Sequence, residues 1–251
     1  MTRTKLGLLG LCAVVFGLMA FSTAAQATVG AKWLVLTAGG LLLEVTETEG
    51  ADKIKSAPIT LTKDSPTLVL HSEILKIATL FLCTELKAVN AQLLANGSIG
   101  EKPGVVANSK VLFSGCTTDL KGKPAPECTP EDPEDGPGTV VTKFGHALLV
   151  LGTAKEDLVE IIPDTGKTFA TIKLPAACPI GTSVPVIGTL RLKDCENLAL
   201  THLVKHLVEE GPGTKLFTIS ETPEHTATLL GSAWAALAGA QAGLAFSGDP
   251  A

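Results

Sequence analysis

Alternation of apolar and polar residues between positions 182 and 195 is the feature that most constrains how this chain can fold. Small or apolar side chains occupy every second position, at Val184, Val186, Gly188, Leu190 and Leu192. The positions between them are polar, charged or proline, and Ile187 is the exception. A period of two places the two sets on opposite faces of an extended chain. The segment therefore predicts a half-buried β-strand.

Short apolar runs separated by turn residues recur along the rest of the chain. They predict further strands at residues 41–46, 67–70, 75–83, 111–116, 140–151, 158–162, 169–174 and 216–220. Many short strands with Gly- and Pro-rich connections are typical of all-β domains. We expect a mainly β fold, a sandwich or an irregular barrel of roughly ten strands.

One segment has helical rather than strand periodicity. Over about residues 198–210, apolar residues recur at the spacing of one helix face, at Leu200, Leu203, Val204, Leu207 and Val208. Asn197 is suited to the N-cap, and Gly211-Pro212 would end the helix. The sequence therefore predicts one amphipathic helix that covers part of a sheet.

Residues 1–27 have the layout of a secretory signal peptide. Two basic residues precede a charge-free apolar run of 16 residues, and Ala25 and Ala27 form the small-x-small cleavage pattern. The run is shorter than the ~20 residues of a membrane-spanning helix. We expect a single β-rich domain over residues 28–251, located outside the cytoplasm: secreted, extracellular or in the cell envelope. A proline-rich acidic stretch at 121–138 is expected to be a surface loop of that domain.

The charge balance and the scarcity of aromatic residues limit the partners. The chain has 20 Lys and Arg against 25 Asp and Glu, a net charge of −5, and no basic cluster. Nucleic-acid binding depends on neutralising phosphates, so we expect no nucleic-acid partner. There is no Tyr, and Trp33 and Trp234 lie in apolar segments, which predicts that they belong to the core. A protein or a component of the cell envelope is the partner class left open.

Residues 226–248 carry no formal charge, so a C-terminal membrane anchor is an alternative interpretation of this stretch. The stretch is rich in small and hydroxyl residues and has no basic residue after it, unlike a typical anchor. Two buried strands joined near Gly239 fit this composition better.

The cysteines predict disulfides in an oxidising compartment. Five of the six lie beyond the predicted signal peptide: Cys83, Cys116, Cys128, Cys178 and Cys195. We expect Cys178 to pair with Cys195, because they bracket a hairpin-sized segment whose closure contributes roughly 3 kcal/mol. Cys116 pairs either with Cys128, the local choice, or with Cys83, the long-range one. The odd count leaves one thiol over, and in the local scheme this is Cys83.

Two histidines are the strongest candidates for chemistry. His202 and His206 stand one helical turn apart on the predicted helix, and His225 could supply a third ligand to a divalent metal. The zinc-protease pattern needs a Glu directly after the first His, and Leu203 occupies that position. No other cofactor is expected.

Several short motifs resemble a known family. They are Phe113-Ser114-Gly115-Cys116, Cys178-Pro179-Ile180-Gly181-Thr182 and Gly231-Ser232-Ala233-Trp234. These are similar to motifs of a family of uncharacterised secreted, cysteine-containing, β-rich proteins of high-GC actinobacteria. The resemblance implies an exported β-rich domain and supplies no catalytic residues.

The function expected from the sequence is non-enzymatic. No nucleophile elbow, phosphate loop or dinucleotide fingerprint is present. We expect a cell-surface or extracellular binding or structural domain. The alternative is a secreted metal-dependent enzyme that uses His202 and His206.

Overall fold

The computed structural model describes residues 31–46, 50–94, 104–151, 157–194, 200, 202–208, 214–219 and 224–249. The described residues form β-strands with two short 3₁₀ helices, so the prediction of a mainly β chain is confirmed. The predicted signal peptide lies outside the described residues.

The strands are numbered along the chain. The first eight are β1 (Lys32–Leu36), β2 (Leu42–Val45), β3 (Lys53–Ile54), β4 (Ser56–Lys63), β5 (Leu68–Ile74), β6 (Ile77–Cys83), β7 (Glu85–Val89) and β8 (Gln92–Leu94). The next eight are β9 (Val105–Ser114), β10 (Thr117–Leu120), β11 (Lys123–Pro124), β12 (Glu131–Asp132), β13 (Gly136–Pro137), β14 (Val140–Val141), β15 (Gly145–Leu151) and β16 (Asp157–Pro163). The last seven are β17 (Thr168–Lys173), β18 (Ser183–Asp194), β19 (Val204–Val208), β20 (Lys215–Thr218), β21 (His225–Leu230), β22 (Ser232–Leu237) and β23 (Ala245–Asp249). The 3₁₀ helices are Pro126–Cys128 and Gly239–Gln241.

Eight strands form a closed ring of antiparallel pairings, which we call the first ring. Its order is β9–β15–β16–β18–β19–β22–β4–β8 and back to β9. Closure satisfies the backbone groups that an edge strand would leave unpaired. The inward residues of this ring form an apolar core that includes Leu93, Val106, Leu149 and Leu237.

A second curved set of strands, the second array, adjoins the first ring. It runs β10–β6–β5–β21–β20–β18–β17, and the bridge Thr142–Ala170 links β17 to the chain that leaves β14. β14 then pairs with β9, and β9 with β7. Its core includes Phe81, Ile172, Val184 and Leu216.

The two long strands β9 and β18 belong to both the first ring and the second array. The first half of β18 pairs with β17 and β20, and its second half pairs with β16 and β19. Gly188 lies where the pairing changes, with φ +122°, and a Cβ there would come within 1.8 Å of the Lys215 carbonyl oxygen. Val184 and Val186 are 0% and 3% exposed, so the strand that the alternation predicted is confirmed.

A smaller sheet of four strands, ordered β23–β1–β2–β3, packs against the first ring. Trp33 of β1 and Phe246 of β23 are buried in the same apolar cluster as Leu149 of β15. The prediction that Trp33 is a core residue is confirmed, because it is 3% exposed.

The predicted helix at 198–210 is wrong. The described part of this segment contains β19, which pairs with β18 on one side and β22 on the other. Without β19 both neighbours would be edge strands, so two ladders of backbone hydrogen bonds outweigh a local apolar periodicity. Residues 198–199, 201 and 209–210 lie outside the described residues.

The C-terminal apolar stretch forms strands on both sides of Gly239, as its composition indicated. β22 precedes Gly239, β23 follows it, and β21 lies further upstream. Among the residues that the structure describes, no helix has the length and hydropathy needed to cross a bilayer.

Candidate functional site

Three adjoining apolar cavities lie in the part of the chain that the structure describes. Cavity A, about 80 Å³, lies inside the first ring and is lined from β4, β8, β9, β15, β16, β18 and β22. Cavity B, about 50 Å³, lies inside the second array and is lined from strands that include β5, β6, β17 and β20. Cavity C, about 80 Å³, lies between them. Each exceeds several-fold the ~10–15 Å³ that one water molecule needs, in an interior that is normally close-packed.

The three cavities form a row because neighbouring cavities share wall residues. Leu61 and Ile161 line both A and C, and Leu68 and Leu229 line both C and B. Phe169 lines all three. Because the Phe169 ring borders all three cavities, a change of its rotamer would join them.

The wall of cavity A is polar at one end. Lys143 is the only charged residue among those that line it, and Ser109 and Thr142 stand beside it. Lys143 is exposed, whereas Thr142 is buried and its Oγ1 accepts a hydrogen bond from the Val111 amide at 2.8 Å. Lys143 therefore belongs both to the wall of cavity A and to the exposed surface.

Trp33 places an indole in the wall of cavity A. Its ring is 3% exposed, and its Nε1 has no hydrogen-bond partner within the described part of the chain. A buried donor without a partner is rare in folded proteins. The residue therefore gives the wall of this cavity an intrinsic fluorophore.

Two disulfides border the second array. Cys83 is bonded to Cys116 with a Cα–Cα distance of 4.0 Å, and Cys128 to Cys178 at 4.8 Å. The Cys83–Cys116 pairing is the long-range alternative that the sequence left open. It arises because β6 and β10 pair with Leu82 opposite Thr117, which brings the two cysteines together.

The expected Cys178–Cys195 disulfide is wrong, and so is the local Cys116–Cys128 choice. Cys178 follows β17 and is bonded to Cys128, which ends the 3₁₀ helix of the acidic loop. The folded sheet, rather than spacing along the chain, brings these sulfurs together. Cys195 lies outside the described residues. Two disulfides are typical of proteins in oxidising, extracellular compartments.

The proline-rich stretch 121–138 is held by its own contacts. It contains β11, the helix Pro126–Cys128 and the small hairpin β12–β13. Asp132 Oδ1 accepts the amides of Glu134 at 2.9 Å and Asp135 at 3.3 Å. Together with Cys128, these contacts tie the loop to the second array.

The candidate metal ligands are placed as follows. His202 precedes β19, and its Nδ1 lies 2.7 Å from the Gly243 carbonyl oxygen. His206 belongs to β19 and His225 to β21, and these strands are not neighbours in the sheet. The helical spacing that put His202 and His206 on one face does not exist. Within the described ranges, no three His, Cys, Asp or Glu residues form a group that could hold a metal.

Two polar pairs missed by the sequence analysis lie outside the first ring. His146 Nδ1 is 2.7 Å from Asp164 Oδ1, and Arg191 is 3.5 Å from Glu160. His146 and Glu160 alternate along β15 and β16 with the residues that line cavity A, so they face away from it. The signal for the first pair was a single histidine in the otherwise apolar β15. A His–carboxylate pair is also part of hydrolase triads, but the His146 Nε2 has no partner among the described side chains.

A third polar group joins β4 to β22. Asp64 accepts hydrogen bonds from the Ser232 hydroxyl at 2.8 Å and from the Trp234 indole nitrogen at 2.9 Å. Ser65 Oγ lies 2.9 Å from the same hydroxyl. Trp234 is half-buried rather than a core residue, and its indole nitrogen is used in this contact.

Comparison of the chain with protein-family models, curated proteins and solved structures gives no match. The resemblance to secreted actinobacterial proteins therefore stays a prediction.

Proposed function

We propose that this chain is an exported, non-enzymatic binding protein that holds a narrow apolar ligand in its interior. The row of cavities A, C and B is the observation that carries the proposal. Closed antiparallel structures of eight strands have interiors just wide enough for side chains or for one small ligand. Apolar cavities of this kind stay dry and bind apolar molecules.

The size and shape of the cavities favour one class of ligand. Each cavity is at most about 80 Å³, well below the ~300 Å³ of a typical drug-sized pocket. A bulky ring system would need the strands to separate. A single unbranched hydrocarbon chain needs only that the side chains between neighbouring cavities, Phe169 above all, change rotamer.

Calorimetric titration with a linear and a cyclic alcohol of equal carbon number tests the proposal. We expect 1-dodecanol to bind with one ligand per chain, whereas cyclododecanol does not. The alkyl chain leaves water for an apolar cavity, and roughly 25 cal/mol is gained per Å² of apolar surface removed from water.

Two neighbouring alanines of β22 give a matched pair of variants. Ala235 is 2% exposed and lines cavity A, whereas Ala236 is half-buried and lines none of the three cavities. We expect Ala235→Leu to fill part of the cavity and abolish binding of 1-dodecanol. Ala236→Leu should leave the binding unchanged. Equal binding by both variants, or no binding by the unaltered protein, would contradict the proposed function.

A further inference from the structure

We infer that the Lys143 end of cavity A binds an anionic head group, so that the ligand is a single-chain amphiphile such as a long-chain carboxylate. This inference rests on the proposed function, because it assumes that the hydrocarbon chain lies in the cavities. It adds where the head group lies and what charge it carries.

The charge distribution in the cavity wall is the first argument. The residues that line cavity A are apolar apart from the Ser109–Thr142–Lys143 end, so a ligand with one polar end has a single orientation. Lys143 has no acidic partner within 4 Å in the described part of the chain. A lysine with no acidic partner among the described residues, in an otherwise apolar wall, complements an anion.

A second lysine contacts the residue that follows Lys143. Lys110 Nζ is 4.2 Å from the centroid of the Phe144 ring, and Phe144 directly follows Lys143. Phe144 is 46% exposed, which is unusual for a ring of its size. An exposed apolar ring in contact with one ammonium group, next in the chain to a second lysine, is suited to the point where an alkyl chain joins a charged head group.

Asp164 is an acidic residue whose backbone lies beside Phe144. The Asp164 amide donates to the Phe144 carbonyl oxygen at 3.0 Å, which places the start of the β16–β17 turn beside that residue. The carboxylate of Asp164 lies against the His146 ring at 2.7 Å. It therefore has a partner of its own, and neither lysine has a salt bridge among the described residues.

The test compares dodecanoate with 1-dodecanol at low salt and pH 8, where the carboxylate is ionised. The unaltered protein should bind dodecanoate roughly three- to fivefold more tightly than the alcohol, the size expected for a solvent-exposed ion pair. Added salt should reduce this preference, because exposed charges are screened. Lys143→Gln should abolish the preference for dodecanoate over 1-dodecanol, and Lys110→Gln should reduce it.

Lys123 supplies the matched control. It is an exposed lysine of β11 that lines none of the three cavities, so Lys123→Gln removes the same charge elsewhere. The preference should survive in this variant. Equal affinity for the acid and the alcohol, unchanged by Lys143→Gln, would overturn the inference and leave the proposed function intact. Failure of the protein to bind 1-dodecanol at all would overturn both.

Discussion

Removal of the Cys128–Cys178 disulfide is the perturbation whose effect can be calculated most directly. This bond joins residues 50 apart in the sequence. In the chain-entropy model, closing a loop of that length removes about 4 kcal/mol of conformational entropy from the unfolded chain. We therefore expect the double variant Cys128→Ala/Cys178→Ala to lose about 4 kcal/mol of unfolding free energy. The double change avoids leaving an unpaired thiol at either position.

Packing adds to the entropic loss. Cys128 is 0% exposed and Cys178 is 5% exposed, so replacing both sulfurs by hydrogen leaves space in the core of the second array. Cavity creation is destabilising in addition to the transfer term. The disulfide Cys83–Cys116 closes a separate segment, with a separation of 33, and it should remain formed in the variant.

Equilibrium unfolding in urea, under non-reducing conditions, measures the loss. The control is Cys195→Ala. It should lose far less stability, because Cys83, Cys116, Cys128 and Cys178 are already paired with one another. Peptide mapping should find Cys128 linked to Cys178 in the unaltered protein. A Cys178–Cys195 peptide, or a Cys195→Ala variant as unstable as the double variant, would refute the reasoning.

Three further substitutions probe the fold. Gly188→Ala should cost at least about 3 kcal/mol in urea unfolding, because a Cβ would lie 1.8 Å from a carbonyl oxygen of β20; an effect under about 1 kcal/mol would contradict this. Ser72→Ala should lower the free energy of unfolding by about 1–3 kcal/mol, because the buried Thr218 hydroxyl loses a partner at 2.6 Å. Adding Thr218→Val should recover most of this loss, and no recovery would count against a hydrogen bond between the two hydroxyls. Asp64→Ala should lower the free energy of unfolding by about 2 kcal/mol and change the Trp234 emission, because it removes the hydrogen bonds from the Ser232 hydroxyl and the Trp234 indole. An unchanged emission spectrum would argue against the indole hydrogen bond.

The strands could be predicted because their local pattern and their tertiary environment agree. Apart from Ile187, apolar and polar residues alternate along β18. One face of the strand lies against the apolar interior in both the first ring and the second array. The segment of β19 shows the opposite case. Its apolar spacing fits a helix face, but β18 and β22 both need a neighbour at that position. Long-range pairing of this kind leaves no signal in the local pattern.

The disulfides and the site depend on contacts between distant parts of the chain. Cys128 and Cys178 meet only because the acidic loop packs beside the end of β17, and spacing favoured the shorter connections. The residues of cavity A are ordinary inward-facing strand residues that could be recognised as core. The empty space between them depends on the packing of strands from distant parts of the chain, so no pattern in the sequence indicates it.

The fluorescence of Trp33 reports whether an apolar ligand enters cavity A. In a Trp234→Phe variant, Trp33 is the only tryptophan, and it lines cavity A. Titration with 1-dodecanol should give a saturable change in emission at one ligand per chain. The Ala235→Leu change in the same background should abolish it. An emission spectrum that stays constant, or that changes without saturation and equally in both proteins, would contradict an interior that binds an apolar ligand.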